Sequence, residues 1–109
     1  MELKFRDNIL EIGEENFEME FPIRTAKIID DLVVVIFDHS EKVPRYSQHQ
    51  NCRAFDLKGN HIWTAEHPTN GNADYYIDFI EKNKLWNFAC FVCEIDFKNG
   101  KLIDAQFSK

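Results

Sequence analysis

The run Cys52-Arg53-Ala54-Phe55-Asp56-Leu57-Lys58-Gly59-Asn60-His61-Ile62-Trp63-Thr64 reads as a β-hairpin. Apolar and polar side chains alternate on both sides of a Lys-Gly-Asn turn, as strands with one buried face require. A looser copy follows at Cys93-Glu94-Ile95-Asp96-Phe97-Lys98-Asn99-Gly100-Lys101-Leu102-Ile103. Asp56 and Asp96 stand 40 positions apart, and Ile62 matches Leu102 at the same offset. Asn-Gly between alternating runs is the strongest short-range hairpin signal.

Working outward, Leu3–Arg6 and Ile9–Ile12 flank Asp7-Asn8 as a first hairpin. Phe17-Glu18-Met19-Glu20-Phe21 alternates strictly, so a strand here turns Phe17, Met19 and Phe21 inward and Glu18 and Glu20 to water. Residues 23–29 form a weaker strand. Leu32-Val33-Val34-Val35-Ile36-Phe37 is continuously apolar and β-branched, which predicts a central strand buried on both faces. Further strands are expected over 75–80, 85–90, 91–97 and 101–107. No capped amphipathic helix of useful length is present. The expectation is a single all-β domain over residues 1–109: an antiparallel meander of about nine or ten short strands, as an open twisted sheet or a two-sheet sandwich.

Ala54-Phe55-Asp56-Leu57-Lys58-Gly59-Asn60-His61-Ile62-Trp63 resembles the blade motif of the quinoprotein-type (PQQ-like) β-propellers, Ala-x-Asp-x-x-x-Gly-x-x-x-Trp, one residue short between Asp56 and Gly59. In the second copy Asp96 and Gly100 keep the spacing, while Asp104 replaces the tryptophan and Glu94 the alanine. A period of 40 fits a propeller blade. Closing a ring takes at least about four blades, so 109 residues are too few for a closed propeller. The cofactor and channel of that fold do not carry over. Asp56, Gly59 and Trp63 are expected to hold the fold.

The formal charge is −6. Residues 1–20 hold seven acids (Glu2, Asp7, Glu11, Glu14, Glu15, Glu18, Glu20) against Lys4 and Arg6, which is nearly the whole imbalance. Such an acidic region repels phosphate backbones and anionic lipid and suits a basic protein partner. The start lacks the apolar core of a signal peptide, and three cysteines make an odd count, so reduced thiols in the cytoplasm are expected.

Catalytic signatures are weak. Cys90-Phe91-Val92-Cys93 is formally a C-x-x-C, but on a strand residues i and i+3 point to opposite faces, so no metal site is expected. The four glycines are isolated, which excludes a phosphate-cradling loop. The aromatics at Tyr75, Tyr76, Phe79, Trp86, Phe88 and Phe91 read as core. The segment 38–51 is the one long irregular stretch, and loops of that length carry function more often than short connections do.

The expected function is non-catalytic protein binding, in its sharpest form an immunity or antitoxin-like protein that covers a basic effector, with no cofactor. The expected contact residues are Asp38, His39, Arg45, Tyr46 and His49 of the long segment, with Glu18 and Glu20 of the acidic strand. Tyr and Arg are common interface anchors. Two alternatives stand beside it: a structural domain that works as a homodimer or larger homo-oligomer, and a small-ligand binder or enzyme that uses the 38–51 and 66–73 loops through His39, His49 and His67.

Overall fold

The turn chemistry divides the chain into short antiparallel segments, and the computed structural model describes them over residues 2–38, 50–69 and 75–107. Among the described residues eleven strands form: β1 (Leu3–Arg6), β2 (Ile9–Ile12), β3 (Glu15–Glu18), β4 (Ile23–Ile29), β5 (Leu32–Phe37), β6 (Cys52–Phe55), β7 (His61–Thr64), β8 (Tyr76–Glu81), β9 (Lys84–Asn87), β10 (Phe91–Ile95) and β11 (Leu102–Phe107). They make three separate antiparallel sheets, β1-β2-β3, β4-β5-β6-β7 and β8-β9-β10-β11, each a meander in sequence order. The all-β antiparallel expectation holds. Among the described residues there are eleven strands, against about nine or ten expected, in three open sheets stacked in sandwich fashion, none of them closed.

The turns explain where each strand stops. Two-residue turns occur at Asp7-Asn8, Gly13-Glu14, Asp30-Asp31 and Lys82-Asn83, and the first residue of each has positive φ (53°, 62°, 55° and 45°). Primed hairpin turns need that backbone, which glycine, Asp and Asn tolerate best. In the β6–β7 turn the Asp56 carboxylate accepts hydrogen bonds from Lys58 N (2.8 Å), Asn60 N (2.9 Å) and Asn60 Nδ2 (3.1 Å). Asp96 repeats the device in the β10–β11 turn, accepting from Lys98 N at 2.9 Å.

Strand β5 lies between β4 and β6 and is buried on both faces, as its composition predicts. Val33, Val35 and Phe37 join Leu10, Ile12, Met19 and Phe21 in one core, between the first and second sheets. Val34 and Ile36 join Cys52, Ala54, Trp63, Tyr76, Leu85, Cys93 and Ile95 in another, between the second and third. The second sheet is thus the middle layer of a three-layer stack.

The same contact locks both layers. Phe17, at the end of the first sheet, lies against Gly59 of the second, where any Cβ would overlap its ring. Trp63, at the end of the second, lies against Gly100 of the third, where a Cβ would sit 2.6 Å from ring atom Cε3. Trp63 also donates from Nε1 to the Phe97 carbonyl at 2.9 Å and stacks on the Phe97 ring at 5.9 Å. The hairpin repeat therefore extends to a third copy, with Gly13, Gly59 and Gly100 each followed four residues later by Phe17, Trp63 and Asp104. Aromatics stand where another sheet follows. Asp104 stands on the exposed side of the third sheet, in a row with Lys84 and Glu94. Lys4, Glu11 and Asn16 face outward from the first sheet in the same way. Polar outer layers of this kind terminate a stack.

Three strands end earlier than expected, β10 among them at Ile95 rather than residue 97. β3 stops at Glu18, and Met19 and Phe21 are buried from the connection that follows, so the inward set is right while the ladder is shorter. β9 stops at Asn87, whose side chain caps a turn over 88–90 by accepting from Ala89 N at 2.9 Å. Cys90 therefore lies on this turn with φ 71°, and of the C-x-x-C pair only Cys93 lies on a strand. Phe88, expected in the core, is 51% exposed. Among the described residues no helix is long and apolar enough to cross a membrane.

Candidate interaction surface

Backbone hydrogen bonds tie the connections of the first and second sheets together at one end of the stack, and another closes the third sheet there. Met19 N donates to Asn8 O, Ile23 N to Asp7 O, Asp38 N to Pro22 O, Phe37 N to Asn51 O, and Phe88 N to Tyr75 O, at 2.6–2.9 Å. Buried Asn51 is the strut between the second and third sheets. Its Nδ2 donates to Tyr76 O (2.7 Å) and Phe37 O (3.2 Å), and its Oδ1 accepts from Tyr76 N (2.9 Å). A side-chain amide matches both backbone groups that a strand end would otherwise leave unpaired.

A strip of charged and aromatic side chains crosses this end. Glu20 pairs with Arg53 at 3.0 Å. The Arg53 guanidinium lies over the rings of Phe21 (5.6 Å) and Phe37 (5.4 Å), and its Nε donates to Gln50 O at 3.0 Å. Asp38 pairs with Arg24 at 3.5 Å, and Arg24 Nε donates to Ile77 O at 2.8 Å. Next to Arg24 the rings of Tyr75 and Phe88 stack at 4.8 Å and 12°. Partial burial pushes the Tyr75 phenol above its ordinary pKa, and the Arg24 charge offsets part of that rise, so the hydroxyl stays protonated at neutral pH. The strip offers an aromatic platform, a half-exposed guanidinium and half-exposed carboxylates.

The expected contact residues divide. Asp38 and Glu20 both lie in the strip, each held by an arginine of the second sheet. Glu18 lies elsewhere, on the outer face of the first sheet across from Ile9. His39, Arg45, Tyr46 and His49 lie outside the described residues, although their segment leaves the strip at Asp38 and returns at Gln50. His67 packs its ring 4.8 Å from that of Tyr76. The N-terminal acids are dispersed rather than gathered on one face. Glu2 pairs with Lys4 at 3.3 Å, Glu20 with Arg53, and Glu14 and Glu15 occupy the far end. Arg24, Arg53, Tyr75 and Phe88 were not singled out as contact residues from the sequence. Asn87, a turn former just before Phe88, was the one local signal for exposure there.

Fold and strip together define a three-layer antiparallel β-stack that presents a mixed-charge aromatic surface at one end. Over residues 1–107 the chain matches, and belongs to, the family described as a domain of unknown function, DUF7957. No curated protein and no solved structure matches it.

Proposed function

We propose that this protein is a non-catalytic protein-interaction module that docks its partner on the strip between Glu20 and Phe88. The observation that carries the reading is the stacked Tyr75–Phe88 pair, half-exposed and rimmed by the Arg24–Asp38 ion pair. Aromatic and arginine side chains with a charged rim are the usual composition of interface hot spots. The net charge of −6 favours a basic partner, and the sharpest form is an immunity or antitoxin-like protein neutralising a basic effector. The unit that presents the strip is a run of propeller-blade-like meanders used as an open stack, a reading supported by the repeated aromatic-on-glycine contact. Three free thiols support a reducing, cytoplasmic setting.

Affinity capture from the native host tests this with three baits: the wild type, Phe88→Asp, and Glu11→Gln on the outer face of the first sheet. Retention of a basic protein by the wild type and Glu11→Gln, with loss by folded Phe88→Asp, supports the surface. Equal retention by all three would remove it. The long segment is tested by Arg45→Ala with His49→Ala, which weakens the same capture if that segment shares the contact.

A further inference from the structure

The opposite end of the stack, where the hairpin turns lie, carries the same cleft twice. Between the second and third sheets a groove of about 560 Å³ is lined by apolar Leu32, Phe97 and Ile103 and by charged Asp30, Asp31 and Lys98. Between the first and second sheets a groove of about 440 Å³ is lined by Ile12 and Leu57, with Glu14, Glu15 and Lys58 around them. The parts correspond. In each groove the earlier sheet supplies two consecutive acids: Asp30-Asp31 form a two-residue turn, and Glu14-Glu15 span the end of a turn and the start of β3. The later sheet supplies an apolar residue and a lysine that follow the turn aspartate, Leu57-Lys58 after Asp56 and Phe97-Lys98 after Asp96. Each acid pair outnumbers its lysine. Among the described residues neither the Asp30 nor the Asp31 side chain has an ion-pair or hydrogen-bond partner. Ile103, which lines the larger groove, is 57% exposed.

We infer that these clefts dock an extended segment of a partner protein in which basic side chains flank apolar ones. An apolar side chain fits the apolar lining, and the neighbouring ammonium or guanidinium groups meet the acid pairs. Two clefts of one chemistry on one end read two successive positions of such a segment. This surface is separate from the Tyr75–Phe88 strip and does not depend on it.

The test is a ¹⁵N-resolved titration of the full chain with a capped five-residue peptide of alternating lysine and leucine. The control peptide carries glutamate in place of lysine. Saturable shifts are expected at the amides of Asp30, Asp31, Phe97 and Lys98, followed by those of Leu57 and Lys58, with none for the control peptide. Asp30→Asn with Asp31→Asn weakens the first set about tenfold. Asparagine tolerates the left-handed backbone at position 30, so this variant keeps the fold. Three results would overturn the inference: no shift at these amides, equal binding of the control peptide, or unchanged affinity in the double variant. Concentration-dependent broadening at the same amides without peptide would assign the clefts to a second copy of the chain instead. Capture through the strip is read separately with Phe88→Asp, so failure of one surface is distinguishable from failure of the other.

Discussion

Gly100→Ala probes the contact that joins the layers. Gly100 has φ +78°, and a Cβ there would sit 2.6 Å from Cε3 and 2.8 Å from Cδ2 of Trp63, itself 6% exposed. An L-residue in the left-handed region costs about 1–2 kcal/mol. Pushing the ring aside in a packed core costs about 1–3 kcal/mol more. The expected loss is about 2–5 kcal/mol, a large share of the roughly 5–15 kcal/mol by which domains are stable. Trp63→Ala alone should cost about 3–5 kcal/mol. In that background the overlap has gone, so Gly100→Ala should cost only the backbone part, about 1–2 kcal/mol. Urea unfolding of the four proteins, followed by circular dichroism, gives the coupling directly. Strict additivity, or a Gly100→Ala cost below about 0.5 kcal/mol, would refute the claim that Trp63 on Gly100 locks the second sheet to the third.

Asn51→Leu leaves the Tyr76 N–H without its partner in a buried site, and a thermal melt should show a loss of about 2–4 kcal/mol. A neutral result would mean that the third sheet does not depend on this strut. Hydrogen bonds from Asn60, backbone and side chain, and from Lys58 hold the Asp56 carboxyl below its ordinary value of 3.8. A depressed folded pKa contributes stability above the unfolded value that is lost as pH falls through the folded one. Asp56→Asn should therefore flatten the acid limb of stability against pH below about pH 4, and an unchanged limb would contradict it. Burial pushes the Cys52 thiol far above its ordinary range, and Cys93 is equally buried, whereas Cys90 lies half-buried on a turn. A thiol reagent should modify Cys90 first and Cys52 and Cys93 only on unfolding. Early modification of Cys52 would show that the second core opens.

Much of the architecture was legible because it is local. Asp7-Asn8, Asp30-Asp31 and Asn99-Gly100 mark turns by their own backbone preferences, and the valines of β5 announce a strand covered on both faces. Asp56, Gly59 and Trp63 were recognisable as structural residues from spacing alone. The stacking was harder to read, because Phe17 meets Gly59 and Asn51 meets Tyr76 across long separations that no local pattern encodes. The end of β9 was missed because the Asn87 side chain forms a turn where Phe88-Ala89-Cys90 carries no turn signal of its own. The strip was half-legible. Asp38 and Glu20 stood out by charge and by their neighbouring segments, while Arg24 and Arg53 gain meaning only once three sheets bring them beside Tyr75 and Phe88.

The most direct measurement of the proposed function is calorimetric titration of the captured partner into the wild type and into Phe88→Ala. Phe88 is half-exposed, so its truncation should leave the fold intact. A hot-spot aromatic contributes at least about 2 kcal/mol, so the variant should bind roughly thirtyfold more weakly. Raising the salt concentration should weaken both proteins further, as a basic partner requires. Affinity within about twofold of the wild type would contradict the account and move the contact away from the Tyr75–Phe88 strip.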